Sequence, residues 1–286
     1  MKRKDFIKNA VLGIGAATIP PSVSAKNSTN KTELNAIGFE HLPKTNKPLK
    51  MKTILHKAAT RGKANHGWLN SHHTFSFANY YDPSRMHFGA LRVLNDDIID
   101  GASGFGTHPH NNMEIISIPI YGALEHKDSM GNTAVIKQNE VQIMSAGTGI
   151  YHSEYNHSKT DDTNFLQIWV FPKEKNITPR YDQKQFLPAN RKNKLQVVVS
   201  PEKDEAVDIN QDAWFYLGNL DIGFEANYKI NKAGNGVYVF VINGAVTIGN
   251  DKLNTRDGLG VWDTDSFSLK ADSNAEVLLM EVPMNV

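Results

Sequence analysis

Gly106-Thr107-His108-Pro109-His110-Asn111-Asn112-Met113-Glu114 and Gly147-Thr148-Gly149-Ile150-Tyr151-His152-Ser153-Glu154 are the two stretches whose reading decides this chain. Side chains two residues apart on a strand face the same side, so His108 and His110 project together, as do His152 and Glu154. If both stretches are strands of one β structure, three imidazoles and one carboxylate converge. Neutral nitrogens with one anionic oxygen suit Fe(II), Mn(II), Ni(II), Cu(II) or Zn(II), and the lack of thiolate argues against a closed structural site. Taken singly each pair is a weak signal, because His-x-His is frequent by chance. Together, beside Gly-rich turns in one part of the chain, they favour a single shared site. Glu114 fits two roles, a fifth ligand or a carboxylate that orients a ligand imidazole.

Working outward, short apolar runs alternate with turn signals over 88–94, 113–120, 133–136, 141–144 and 165–171. A second series follows Pro188, over 195–199, 214–217, 236–242, 246–248, 260–262 and 277–280. Closely spaced strands with Gly turns and little helical periodicity predict an all-β protein, and the doubled series predicts two β-sandwiches or barrels in tandem. The halves share a phrase, Tyr121-Gly122-Ala123-Leu124-Glu125 in one and Asn243-Gly244-Ala245-Val246-Thr247 in the other, each read as a tight turn between strands. All 11 histidines lie at or before residue 157, which confines metal chemistry to the first half. Among those outside the two motifs, His73 is the best placed to line a pocket, and His126 reads as a structural or surface group. The organisation expected is 51–174 for the metal-binding domain, a polar connector containing Pro179 over 175–190, and 191–286 for the second domain.

Composition agrees and excludes much else. The 286 residues are 40% hydrophobic and 21% charged, which describes a chain able to build a core. With no cysteine, disulfides, thiolate nucleophiles, zinc ribbons and iron–sulfur clusters are excluded. Residues 1–25 hold four basic groups (Lys2, Arg3, Lys4, Lys8) against Asp5, which leaves 27 basic and 29 acidic groups in the rest. A nearly neutral body gives no basic footprint for nucleic acid.

The first 25 residues read as a signal peptide: a basic start, an apolar run from Ala10 to Ile19, and Val23-Ser24-Ala25 as a small-residue cleavage site. The run falls far short of the roughly 20 residues that span a bilayer. Arg3-Lys4-Asp5-Phe6-Ile7-Lys8 resembles a twin-arginine leader with Lys4 in place of the second Arg, so folded and unfolded export both stay open. Residues 26–50 read as a flexible lead-in. The expectation is a soluble periplasmic protein with no membrane insertion after cleavage of the leader.

Gly106-Thr-His-Pro-His110 followed by Glu114, then 124–132 (Leu-Glu-His-Lys-Asp-Ser-Met-Gly-Asn) and 141–154 (Val-Gln-Ile-Met-Ser-Ala-Gly-Thr-Gly-Ile-Tyr-His-Ser-Glu), closely resemble the pirins. Upstream, Arg61-Gly62, His66-Gly67-Trp68-Leu69, His73-Thr-Phe-Ser-Phe77 and Tyr81-Asp-Pro83 through Asn95 match the same family. The resemblance covers about residues 51–286 and is densest between 61 and 172. It implies a bicupin: two tandem cupin (jelly-roll-like) β-barrels packed face to face, with metal only in the N-terminal one. By the family's pattern the ligands are His108, His110, His152 and Glu154, with Glu114 outside the ligand set. Compared with cupins in general, Asn139-Glu140 stands where a Gly-Asp turn is usual and Ser145-Ala146 where a Pro is common.

The resemblance further implies a mononuclear divalent transition metal, with Fe(II) the first expectation and Mn, Ni, Co, Cu or Zn as alternatives. It also implies an oxidoreductase of quercetin 2,3-dioxygenase type, which opens a small aromatic flavonol-like substrate with O2 and releases carbon monoxide. Glu154 is then the first candidate base and Glu114 the second, and Phe75, Phe77, Phe88, Phe105, Met113 and Met144 are candidate apolar walls. A non-catalytic, metal- and redox-sensitive binding or regulatory protein is the reading from another class, and a cupin enzyme with a different substrate is a third. The expected state is a monomer.

Overall fold

Glycine punctuation sets the strand boundaries at the shared phrase. Gly122 has φ +77° and Gly244 φ +85°, a region that glycine enters without steric cost. A Cβ on Gly122 would lie 2.3 Å from Thr163 Oγ1, and one on Gly244 2.2 Å from the carbonyl oxygen of Asn274. Each turn is therefore closed against the strand that follows later in its own half. The computed structural model describes residues 51–202 and 205–286; the leader over 1–25 and the lead-in over 26–50 lie outside the described residues.

In chain order the strands are β1 (Lys52–His56), β2 (Gly62–Asn65), β3 (Leu69–His73), β4 (Leu91–Ile99), β5 (Gly104–His110), β6 (Glu114–Tyr121), β7 (Ala123–Asp128), β8 (Thr133–Lys137), β9 (Glu140–Ser145), β10 (Ile150–Asn156) and β11 (Thr163–Val170). They continue with β12 (Arg180–Gln185), β13 (Leu195–Ser200), β14 (Val207–Asp208), β15 (Trp214–Leu220), β16 (Glu225–Lys229), β17 (Asn235–Asn243), β18 (Ala245–Ile248), β19 (Asp251–Asn254), β20 (Gly258–Trp262), β21 (Ser266–Ala271) and β22 (Ala275–Pro283). The halves correspond strand for strand. The first has a seven-stranded sheet, β12-β9-β6-β11-β4-β3-β2, over a four-stranded one, β5-β10-β7-β8. The second repeats this as β1-β20-β17-β22-β15-β13-β14 over β16-β21-β18-β19. The all-β, two-cupin architecture expected from the sequence is the one observed.

The domain limits differ at two strands. β1, expected with the first domain, pairs with β20 of the second, Lys52 opposite Trp262 through His56 opposite Gly258. There His56 Nδ1 lies 2.9 Å from the Tyr238 hydroxyl. β12 falls inside the expected connector over 175–190 but pairs with β9 and completes the first half's sheet. Its sequence, RYDQKQ, carries no apolar period because both of its faces meet polar partners. Arg180 bonds Asp208 and Lys184 bonds the Ala206 carbonyl on one face, and Tyr181 donates to Gln183 on the other.

Three apolar clusters stand out among the described residues. The largest joins the two seven-stranded sheets face to face, with Ile116, Ile118, Ile143, Leu166 and Ile168 against Val198, Phe215, Phe240, Leu278 and Met280. The second fills the interior of the C-terminal half with Val237, Val239, Val246, Leu253, Leu269 and their neighbours. In the N-terminal half Ile115, Met144, Ala146 and Ile150 cluster around Trp169, and Leu124, Ile136 and Phe165 are buried as well. Its remaining buried side chains include Ser117, His126, Gln142, His152, Glu154 and Gln167. The C-terminal interior buries the Glu281 carboxylate beneath Tyr228 and Asn231, and the N-terminal interior carries the histidines and more polar groups besides.

Candidate metal centre

β5 is an edge strand of the four-stranded sheet, where Pro109 removes a backbone donor at little cost. The ladder to β10 sets His152 opposite His108, then skips a residue so that Glu154 stands opposite Phe105. The extra residue is a bulge on β5 at Gly106-Thr107. The ladder from β10 to β7 is regular, with His152 opposite Asp128 and Glu154 opposite His126, so β10 keeps its alternation. Ile150, His152, Glu154 and Asn156 are buried, and Tyr151 and Tyr155 are exposed.

The result is a triad. One ligand atom from each of His108, His110 and His152 lies within 4.8 Å of the others. The ring centroids are 4.9 Å apart for His108–His110, 4.4 Å for His108–His152 and 4.9 Å for His110–His152. In the C-terminal half the corresponding strands turn Ala226 and Tyr228 (β16) and Phe267 and Leu269 (β21) inward, all apolar-cluster members.

Electrostatics prepare these rings to bind a cation. Burial, and then the neighbouring His108, push the His110 imidazole down to about 3. Burial also drives His152 far below the usual histidine range, with His108, His110 and His126 adding to the shift. Both rings are neutral at physiological pH and offer lone pairs. His108 Nδ1 lies 2.8 Å from the Gly106 carbonyl oxygen; donating that proton fixes the tautomer with a free Nε2. Both ring nitrogens of His152 are buried without a hydrogen-bond partner. Three converging imidazoles, one of them wholly unpartnered, are a donor set for a divalent first-row ion.

Glu154 shares the inward face with His152, yet the mutually close ligand atoms among the described residues come from the three histidines and do not extend to it. Its carboxylate oxygens accept from Ser117 Oγ at 2.9 Å and Gln167 Nε2 at 3.2 Å. Glu114 is buried too but sits on the other face of β6. There its Oε2 accepts from Ser145 Oγ at 2.6 Å and from the Asn210 amide at 3.1 Å. This is the side that packs on the C-terminal half, next to a groove of about 330 Å³ lined by Arg180, Asp208 and Asn210. The structure thus removes Glu114 as a candidate base, because the sheet itself separates it from the triad.

The apolar candidates divide in the same way. Phe77 packs on Trp169 with centroids 5.4 Å apart, and Met113 and Met144 belong to the cluster around Trp169. Phe105 packs on Trp68 at 5.3 Å. Phe75 and Phe88 lie between the halves, both against Tyr238. His73 is buried among Asn95, Ser71 and Phe77 rather than lining the triad.

His126, Asp128, Tyr181 and Trp169 surround the triad without a clear signal in the sequence. His126 is fully buried, 5.4 Å from His152 by ring centroid, with its Nε2 3.1 Å from Asp128 Oδ2. Its two-residue spacing from Asp128 was the available signal. Tyr181 reaches over from β12 to pack on His126, with ring centroids 4.8 Å apart and planes tilted by 34°. Trp169 meets His110 edge-on at 4.9 Å.

The sequence profile of the pirin family matches residues 55–170, and that of the quercetinase C-terminal cupin domain matches 197–282. The chain is 50% identical over 230 residues to quercetin 2,3-dioxygenase of Escherichia coli K12, covering 80% of this chain and 98% of that protein. This chain belongs to the pirin family. A pirin-like protein of Caulobacter vibrioides is 40% identical, over 77% of this pirin and 95% of that one. The crystal structure of a bacterial pirin from Escherichia coli in complex with nickel(II) superposes with a TM-score of 0.77 at 48% identity, covering 82% of this chain and all (100%) of the other. Membership of a metal-binding family and the histidine cluster together support metal binding by this pirin.

Proposed function

We propose that this chain is a metal-dependent dioxygenase of the quercetin 2,3-dioxygenase type, which opens the ring of a small flavonol with O2. The observation that carries the reading is the convergence of His108, His110 and His152 in a chain half identical to a quercetin 2,3-dioxygenase over nearly the whole of that enzyme. The proposed resident ion is Fe(II), with Ni, Mn, Co, Cu and Zn compatible with the same donors. Bound there, it would supply a Lewis acid for the flavonol 3-hydroxyl and a meeting point for that oxygen and O2.

The chain's own residues do the rest. His108, His110 and His152 present ring nitrogens from two neighbouring strands. Glu154 provides the carboxylate in the same interior to take up the hydroxyl proton at an oxygen. Phe77, Met113 and Trp169 form an apolar, aromatic-rich surround near His110 that suits a flat ring system. The leader over 1–25 would place this activity in the periplasm, and a secreted form whose first residue is Met1 would refute that.

The test is to load purified residues 26–286 anaerobically with Fe(II), Mn(II), Ni(II), Co(II) or Cu(II) and then admit air and quercetin. Metal-dependent loss of the flavonol absorption band with release of carbon monoxide, abolished by His108→Ala and His152→Ala, is the expected result. Stoichiometric metal binding with no flavonol turnover would overturn the substrate assignment.

A further inference from the structure

A row of polar side chains crosses the seven-stranded sheet of the N-terminal half on its inward face. The ladders set Gln183 opposite Gln142, Gln142 opposite Ser117, Ser117 opposite Gln167 and Gln167 opposite Asn95. Directly opposed residues point to the same side. That side is the interior, because Ser117 and Gln167 reach Glu154 on the four-stranded sheet and Gln183 donates to the Val135 carbonyl oxygen on β8. Across the corresponding strands of the C-terminal half the row reads Leu259, Val239, Leu279 and Tyr216, all within its apolar cluster.

Gln142 stands apart within the polar row. Ser117, Gln167 and Gln183 have hydrogen-bond partners, whereas Gln142 is 1% exposed and neither its Nε2 nor its Oε1 has one. A primary amide carries two donors and an acceptor oxygen, and burying it unpaired is costly. Trp169 Nε1 and His126 Nδ1 are unpartnered too, and their rings pack on the triad members His110 and His152. By contrast, Glu281 in the C-terminal interior is bonded on both oxygens, by Tyr228, Asn231, Lys232 and Asn235. The interior that holds the triad keeps polar atoms unpaired where the other pairs its own.

We infer that Gln142 is a specificity-determining residue, whose amide pairs with a peripheral hydroxyl of the bound ring system, so that the site selects polyhydroxylated flavonols over bare ones. The inference rests on the flavonol reading proposed above and deepens it by naming the part of the substrate that is recognised. A hydroxyl both donates and accepts, and Gln142 Oε1 and Nε2 offer the matching acceptor and donor. A site built to pair a buried polar group with a ligand hydroxyl rejects the analogue that lacks it, because the protein group is then left unmet. Gln142 is also within reach of a ligand at the triad. It stands one strand, about 5 Å, from Ser117, which bonds the Glu154 carboxylate.

The experiment measures equilibrium binding of quercetin and of 3-hydroxyflavone to the Fe(II)-loaded chain under argon, where no ring opening can occur. Both ligands carry the 3-hydroxyl and the neighbouring carbonyl, and quercetin adds the peripheral hydroxyls. Wild type should prefer quercetin. Gln142→Met, similar in volume but without the amide, should raise the quercetin Kd about tenfold and leave that of 3-hydroxyflavone unchanged. Because the amide has no partner within the chain, Gln142→Met should also leave the thermal midpoint unchanged or raise it, which loss of a structural amide would not do. Gln142→Leu repeats the comparison if Met is poorly accommodated. No preference in wild type, equal weakening of both ligands, or no weakening of either in both variants overturns the proposal. Turnover is a separate readout. Quercetin bound with the expected preference but not opened would refute the dioxygenase reading alone, and binding that both variants leave untouched beside normal turnover would refute this inference alone.

Discussion

Glu114 and Ser117 stand three residues apart on one strand and face opposite sides of it. Ser117 bonds Glu154 in the polar interior of the N-terminal half, and Glu114 bonds Ser145 and the Asn210 amide where the halves meet. An odd spacing on a strand reverses the face, so one carboxylate shares the interior with the histidine triad and the other lies at the seam.

Substitution at Glu114 should therefore change stability and leave the chemistry alone. Glu114→Ala strips the Ser145 hydroxyl and the Asn210 amide of their partner and should cost about 1–3 kcal/mol. Metal stoichiometry and turnover should stay at wild-type levels. His152→Ala should do the reverse, abolishing metal binding with an unchanged circular dichroism spectrum. Chemical denaturation beside metal titration checks both.

Trp169 reports on the triad directly. Its ring meets His110 edge-on with centroids 4.9 Å apart, within quenching range of a paramagnetic ion held there. Adding Ni(II) or Cu(II) should quench a fraction of the tryptophan fluorescence that Trp169→Phe removes. Equal quenching in wild type and Trp169→Phe would place the ion elsewhere.

Stability should carry the signature of Asp97. Burial pushes its carboxyl from 3.8 up to about 7, against the hydrogen bond from Ser71 and with help from Asp96 and Glu154. Between those values the folded chain keeps a proton that the unfolded chain releases, so stability falls as pH rises through the window and levels off above it. The slope is at most about 1.4 kcal/mol per pH unit. Asp97→Asn should remove this contribution, which shows as a pH-dependent gap between the two denaturation midpoints across that same window.

Two glycines separate backbone strain from crowding. Gly131 has φ +94° with nothing within 4 Å of the place a Cβ would occupy, so Gly131→Ala should cost only the left-handed backbone penalty of about 1–2 kcal/mol. Gly122→Ala would add contact with Thr163 Oγ1 at 2.3 Å, worth a further ~1–3 kcal/mol. Thermal midpoints should fall further in Gly122→Ala than in Gly131→Ala.

The histidine pairs and the two-half β architecture were legible in the sequence, as was the placing of all 11 histidines at or before residue 157. Each is a local property: alternation at a spacing of two puts His108 beside His110 and His152 beside Glu154, and Gly122 and Gly244 mark equivalent turns wherever the strands go. Tertiary structure alone decided between the carboxylates, because β6 is buried on both faces and its residues show no amphipathic pattern from which the interior side could be read. It alone assigned β1 to the C-terminal sheet and made a strand of β12, whose polar residues find polar partners far along the chain. The same holds for Ser117, Gln167, His126 and Tyr181, whose proximity to the site comes from pairing between strands distant in sequence. Local spacing pointed to the histidines; long-range packing chose what surrounds them.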